Sequence, residues 1–307
     1  MEEVLRAAAL IREGKLVAFP TETVYGLGAN ALDAAAVERI FQAKGRPSTS
    51  PLIVHVDSVE MARRLVLDWP AHAETLARRW WPGPLTLVLP KLPIIPDIVT
   101  AGLATVGIRM PDHPLALALI RAAGLPIAAP SANPFTRLSP TTAQHVRDAL
   151  GDKVDCVLDG GPTTVGIEST VLSLAVSPPQ LLRPGMVSQS EIEALIGPIQ
   201  LGQATGAHAS PGMHRVHYSP RTRLVIVSGG APLPAGRGVY LFREHPREAA
   251  GRVKMPDDAA AYAALLYETL HCEDREGWDW IAVEAPPPGP EWAAIADRLR
   301  RAASATR

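Results

Sequence analysis

Lys44-Gly45-Arg46-Pro47, followed by Pro51-Leu52-Ile53-Val54-His55, sets two cations beside an apolar run. A lysine supplies a mobile point charge and an arginine a planar fork of donors, a combination suited to gripping a polyphosphate. Val37, Ile40 and Phe41 before them share one face, predicting a helix that Gly45 ends and Pro47 forbids to continue. The cations then project from a loop at the mouth of a strand over Leu52–Val56. Equally, Lys and Arg in a last helical turn complement the helix dipole.

Other polar residues recur at the ends of apolar runs. Arg109 ends one such run before Met-Pro, and a charge at the tip of a buried strand needs an anionic partner. Glu168-Ser169-Thr170 and Arg183-Pro184-Gly185 repeat the arrangement, and Ser131 and Asn133 follow a predicted strand over Pro126–Ala129. An Asn-Pro turn accounts for the latter pair as well. His55 reads either as a core histidine or as a ligand. Thr21, Thr23 and Tyr25 alternate, so their hydroxyls could share one side of an extended segment. Lys44, Arg46, Arg109 and Arg183 face few carboxylates, Glu22 and Glu168 among them. Such a set suits a ligand with several negative charges together with a small zwitterion, and not hydrolysis by paired carboxylates. Gly26-x-Gly28-x-x-Ala31 fits the dinucleotide fingerprint formally, but its glycines come several residues after the strand. They more simply let a backbone approach a ligand or a neighbouring strand. No Ser-His-Asp order, nucleophile elbow, Walker loop, HExxH or CxxC occurs.

The elements that must position these groups come in two sets. A first helix carries Val4, Leu5, Ala8 and Ile11, and a strand follows at Leu16–Phe19. Thr21–Gly28 reads as a polar loop, and Asp33 as the N-cap of the helix ending at Lys44. Helices at Val59–Val66, Ala73–Trp80, Leu115–Ala123, Thr141–Leu150 and Ser190–Ile196 alternate with strands at Leu85–Leu89, Val106–Arg109, Cys156–Leu158, Thr170–Leu174 and Leu181–Arg183. Residues 197–220 lose all apolar periodicity and read as a linker, long enough to be functional. Beyond it, strands at Leu224–Val227, Gly238–Phe242 and Ile281–Glu284 alternate with helices at Ala259–Leu270 and Trp292–Ala302. That predicts a small open α/β, Rossmann-like domain. We divide the chain into 1–200, a linker at 201–220, and 221–307.

At 307 residues the chain exceeds the usual single-domain size, in keeping with that division. A formal net charge of −1 argues against a surface that coats nucleic acid. Cys156 and Cys272 stand far apart in no metal-like spacing, which suits a reducing cytosol. The acidic opening Met1-Glu2-Glu3 is unlike a signal peptide, and no apolar run approaches the ~20 residues that span a bilayer.

Seven segments, in order, carry a resemblance: Phe19-Pro-Thr-Glu-Thr-Val-Tyr-Gly-Leu-Gly28, Lys44-Gly-Arg-Pro47, Pro51–His55, Val106-Gly-Ile-Arg-Met-Pro111, Ala129-Pro-Ser-Ala-Asn133, Gly166-Ile-Glu-Ser-Thr-Val171 and Leu182-Arg-Pro-Gly185. Together they resemble the YrdC-like threonylcarbamoyl-AMP synthases over roughly residues 1–200. Ser210-Pro-Gly-Met213, His217-Tyr-Ser-Pro220 and the α/β tail resemble the two-domain members of that family. The resemblance implies a twisted mixed α/β sheet (with α+β character) folded around a deep, positively lined cavity. It implies the reaction of L-threonine, bicarbonate and ATP to threonylcarbamoyl-adenylate and pyrophosphate, for modification of a tRNA adenosine through other proteins.

Carried over position by position, it implies Thr23, His55, Arg109 and Ser169 for threonine. For ATP it implies Lys44, Arg46, Ser50, Thr105, Ser131, Asn133, Ser139 and Arg183, with Tyr218 reaching in from the linker. Lys44 and Arg46 would stabilise charge at the α-phosphorus, and Mg²⁺ would arrive with the phosphates, with no tightly bound cofactor. The chain departs from the family at Ser50 (commonly Asn), at Ala129 (frequently Thr) and at Pro134-Phe-Thr-Arg-Leu138, which replaces a Ser-Gly turn. The expectation is a cytoplasmic enzyme that binds tRNA weakly if at all, with the linker at 201–220 as a lid. A nucleotide- or RNA-binding module, or another carbamoyl-transfer enzyme on this fold, are the alternatives.

Overall fold

A computed structural model describes residues 2–202, 217–228 and 230–304. The first set of elements is α1 (Glu2–Arg12), β1 (Val17–Phe19), β2 (Gly26–Asn30), α2 (Ala34–Lys44), β3 (Ile53–His55), α3 (Val59–Arg63), α4 (Ala71–Trp80), β4 (Leu85–Pro90), α5 (Asp97–Thr100), β5 (Thr105–Arg109), α6 (Pro114–Ala123), β6 (Ile127–Ala128), α7 (Ala143–Leu150), β7 (Cys156–Val157), β8 (Thr170–Ser173), β9 (Gln180–Arg183), α8 (Gln189–Ile196) and β10 (Gln200–Leu201). Its strands form one sheet in the order β10-β9-β8-β4-β5-β3-β6-β2-β1-β7, with parallel and antiparallel neighbours mixed.

Alternation along the strands gives the sheet two apolar faces. In β1, Val17 and Phe19 pack with Ile11 of α1 and with Leu119 and Ile120 of α6. Leu16 and Ala18 turn to the other side, to Val37 and Ile40 of α2 and Leu76 of α4. The ends of α2 follow the expected chemistry. Asp33 accepts from the amides of Ala35 and Ala36, and Gly45 closes the helix at φ 61°, the left-handed region glycine enters without strain.

Thr21–Gly28, expected to be wholly a loop, contains the start of β2, which pairs with β1 from Phe19↔Gly26 to Val17↔Gly28. The reason is steric. A Cβ at Gly28 would stand 2.7 Å from the Phe19 ring and 2.8 Å from Ile127, so glycine lets three strands close up.

The second set is β11 (Arg223–Val227), β12 (Gly238–Phe242), β13 (Gly251–Lys254), α9 (Ala259–Glu273), β14 (Trp280–Glu284) and α10 (Ala293–Ala303). Its sheet is wholly parallel, in the order β11-β14-β12-β13. β13 was not expected from the sequence. It is an edge strand whose residues alternate half-buried and exposed, so it lacks an apolar run.

The two sheets share a buried seam. Val24, Leu138 and Ile167 from the first set pack with Ala263, Leu266 and Tyr267 of α9 and with Leu299 of α10. Gly166 makes the approach possible. Its φ is +78°, and a Cβ there would lie 2.4 Å from the carbonyl oxygen of Ala263. Of the linker, residues 203–216 lie outside the described residues, and with them Ser210–Met213 and most of the expected lid. Its described end, 217–220, runs along α10, where Ser219 Oγ donates to the carbonyl of Ala302 at 3.3 Å.

Candidate active site

Strand ends of the large sheet converge on one cavity of about 50 Å³. β3 and β5 run parallel with His55 paired to Arg109, so both side chains leave the sheet at the same edge. Ser169 stands immediately before β8, and Arg183 ends β9 opposite Val171. Ser131 follows β6 and is held by a bridge to Gly26 and by Leu27 N–H donating to the carbonyl of Pro130 at 2.8 Å. Thr23, Arg46, His55, Arg109, Ser131, Ser169, Arg183 and Tyr218 all line this space, with Glu168 and His217 beside them.

The positive charge is concentrated and buried. Arg46, Arg109 and Arg183 are each at most 7% exposed. Burial drops the Arg46 guanidinium to about 10, and burial followed by the charge of Arg109 drops the His55 imidazole to about 3, so that ring is neutral at pH 7. Among the described residues, Arg46 Nε, His55 Nδ1, Arg109 Nε and Tyr218 Oη are buried with no hydrogen-bond partner. Buried polar groups are nearly always hydrogen-bonded, so four orphans around one cavity mark a place built for a polar ligand.

Both carboxylates expected near the cations already have partners within the chain. Glu22 Oε2 accepts from Arg109 Nη2 at 2.6 Å and from the amide of Asp112 at 3.0 Å. The anionic partner that Arg109 needs is therefore within the chain. Glu168 accepts from Ser139 Oγ at 2.6 Å, from Tyr267 Oη and from Arg298 Nε at 2.7 Å. Burial pushes the Glu168 carboxyl up, but Arg298 and then Arg183 outweigh it and hold it below its usual range.

The remaining expected residues are not among those that line the cavity. Lys44 is buried, and its Nζ donates to the carbonyls of Ser131, at 2.5 Å, and Asn133, so it fixes the 131–133 turn in place of projecting from a loop. Burial and then the charge of Arg46 lower its ammonium well below the lysine range, while the two carbonyls favour the charged form. Ser50 Oγ accepts from Arg46 Nη2, and Asn133 Nδ2 donates to the carbonyl of Arg137 at 2.8 Å. Ser139 serves Glu168. Thr105 shares a strand face with Arg109, about 13 Å away along β5. Thr21 and Thr23 join hydroxyls at 2.8 Å, but Tyr25 Oη turns away to the carbonyl of Gly161, also at 2.8 Å.

The segment that departs from the family motif supplies a side chain the sequence did not single out. The Arg46 guanidinium lies 5.6 Å from the centre of the Phe135 ring, which meets His217 edge-on at 6.0 Å. Tyr218 sits at φ 62°, an uncommon conformation for a side chain of that size, and is pinned next door by Ser219 N–H donating to the carbonyl of Thr136 at 2.9 Å. Arg298 and Tyr267 were also missed. Both come from the second sheet's helices.

Residues 9–185 match the family described as telomere recombination, named for Sua5, YciO and YrdC, and residues 187–304 match the threonylcarbamoyl-AMP synthase C-terminal domain. The threonylcarbamoyl-AMP synthase of Pyrococcus abyssi is 44% identical over 96% of this chain and 92% of its own length. That of Bacillus subtilis is 45% identical over 98% and 93%. This chain belongs to the threonylcarbamoyl-AMP synthase family. A crystal structure of P. abyssi Sua5 complexed with L-threonine matches with a TM-score of 0.92 at 43% identity, covering 99% of this chain and 94% of that one. The mixed α/β fold is thus common to this chain and a relative within the family. Among the described residues, no helix is long and apolar enough to cross a membrane.

Proposed function

We propose that the chain joins L-threonine, bicarbonate and ATP into threonylcarbamoyl-AMP and pyrophosphate, and that the adenylate supplies a threonylcarbamoyl group to a tRNA adenosine through other proteins. The observation that carries this reading is the cavity lined by three buried arginines and, among the described residues, four orphaned polar atoms.

Arg109, already oriented by Glu22, takes the threonine carboxylate, while Thr23, Ser169 and the neutral His55 take its hydroxyl and amine. The threonine nitrogen adds to the carbon of bicarbonate, losing water, to give a carbamate. A carbamate oxygen then attacks the α-phosphorus of ATP, and the bond to the pyrophosphate oxygen breaks. Arg46 and Arg183 stabilise the charge that spreads over the phosphoryl oxygens, and Lys44 acts by holding the Ser131–Asn133 turn. The protein supplies no covalent nucleophile, so position and electrostatics carry the rate.

ATP enters as its Mg²⁺ complex. Glu22 and Glu168 are each tied to an arginine, and among the described residues no group of three or more His, Cys, Asp or Glu could hold a metal. The phosphates and water therefore suit the ion better than the side chains do. A space of about 50 Å³ is smaller than a nucleotide, so ATP enters only as the cavity wall, His217 and Tyr218 included, opens further. Free thiols at Cys156 and Cys272 suit a cytoplasmic setting.

The test is pyrophosphate release with MgATP and bicarbonate, with and without L-threonine, and the adenylate identified by mass. Release that depends on both threonine and bicarbonate is expected. Release without either, or none at all, overturns the reading.

A further inference from the structure

We infer that Arg298, on the last helix of the second sheet, is a positioning residue for the substrate cavity of the first. It fixes Glu168 in the cavity wall and cancels the charge that Glu168 would otherwise set against an anionic substrate. The inference rests on the reading of that cavity as the site of ATP and threonine.

Arg298 is 1% exposed, an unusual place for a guanidinium. It grips Glu168 twice, with Nε on the carboxylate at 2.7 Å and Nη2 on the backbone carbonyl at 3.2 Å. A grip on side chain and backbone together fixes the rotamer and the strand end at once. Asp297 takes Nη1 at 2.9 Å but is shared with Arg301 Nε at 3.0 Å, so it holds the guanidinium without using up the charge that faces Glu168. Its face lies 5.3 Å from the centre of the Tyr218 ring, a cation–π contact with another residue of the cavity wall.

The grip passes into the site through one peptide. Ser169, next to Glu168, shares its hydroxyl with Thr86 at 2.8 Å and with Arg183 Nη2 at 3.1 Å, and its carbonyl accepts from Arg183 Nε at 3.0 Å. Arg298, Glu168, Ser169 and Arg183 thus form one chain of contacts from α10 to a cavity arginine. A displacement of Glu168 moves Ser169 and Arg183 with it.

Charge gives the second argument. Glu168 lines the same cavity as three arginines, and a buried carboxylate freed of its partner would offset one of them at short range. A buried ion pair is weak evidence of stabilisation, since apolar residues often replace one without loss, but removing one partner leaves a costly bare charge. Its place in the wall of a site for a polyanion gives this pair a use that stability does not.

The experiment compares the full chain with Arg298→Met, Glu168→Gln and the double variant. ATP affinity is measured by calorimetry, KM for ATP and threonine by adenylate formation, and folding by thermal melting. Arg298→Met is expected to weaken ATP binding and raise its KM by roughly tenfold, with a smaller change in kcat. Adding Glu168→Gln removes the bare charge and is expected to recover most of that loss. A folded Arg298→Met with wild-type ATP affinity overturns the inference. So does a double variant no better than the single one, which would make Arg298 a structural tie only. If Arg298→Met does not fold, Arg298→Lys keeps the charge but loses the two-point grip, and an unchanged KM there overturns it equally. A wild-type chain that binds ATP but makes no adenylate would overturn the proposed function instead, leaving the calorimetric comparison to decide this one.

Discussion

Arg109 Nη2 lies 2.6 Å from Glu22 Oε2, with both side chains at most 5% exposed. The pair joins a strand end to the first polar loop, 87 residues apart. Among the described residues Arg109 Nε has no hydrogen-bond partner, in a side chain that lines the cavity. Glu22 thus fixes the guanidinium through Nη2 and leaves its neighbour Nε for a ligand.

Glu22→Gln should therefore raise KM for threonine by about tenfold while leaving KM for ATP near wild type, since a neutral amide holds a guanidinium less firmly. Steady-state assays with each substrate varied in turn read the split. Equal rises in both constants would show that the pair supports the fold and not the threonine subsite.

Gly166→Ala tests the seam between the sheets. A methyl group 2.4 Å from the Ala263 carbonyl oxygen and 2.5 Å from the Ala264 Cα cannot be accommodated, and φ +78° strains any side chain. The loss should reach about 2 kcal/mol or more in urea unfolding, among the larger single-site effects. A wild-type unfolding midpoint would mean that α9 can slide away from residue 166 at little cost.

Where the sequence was informative, the signal was local. Asp33, Gly45 and Pro47 fix the ends of a helix through neighbours within a few residues, and the structure ends α2 there. Arg109 plainly needed an anion, but nothing local distinguishes a ligand from Glu22. Arg298 was harder still. It stands in Asp297-Arg-Leu-Arg-Arg301, where three arginines look alike until packing buries one. Lys44 was expected in the open and turned out to brace the 131–133 turn, a role set by a segment 87 to 89 residues away.

Phe135 sits in the stretch where the chain departs from the family motif, and its ring lies between Arg46 and His217. Phe135→Ala should raise KM for ATP by roughly threefold to tenfold, the range of a partly desolvated cation–π contact. Phe135→Tyr should stay near wild type. A Phe135→Ala variant with unchanged KM would show that Ser50 and the carbonyl of Pro51, the other acceptors from Arg46, suffice to hold it.

Acid should loosen the chain well before its carboxylates titrate. His145 of α7 and His271 of α9 stack across the seam with ring centroids 3.8 Å apart. Burial holds each at about 4, helped by Arg275 against His145 and by His145 against His271. His55 is lower still, at about 3. A histidine whose folded pKa lies below its ordinary 6.5 stays neutral in the folded state while the unfolded chain takes up a proton. Stability is then flat above about pH 7 and falls as the pH drops from 6.5 towards 4, by up to about 1.4 kcal/mol per pH unit for each such ring. Carboxylates held low, such as Glu168, add their loss only below about 4.5. Urea unfolding at pH 7, 6 and 5 should show this slope, and His271→Gln should flatten it by relieving both members of the stack. An unchanged slope in His271→Gln would place the acid sensitivity elsewhere, with His55 the next ring to replace.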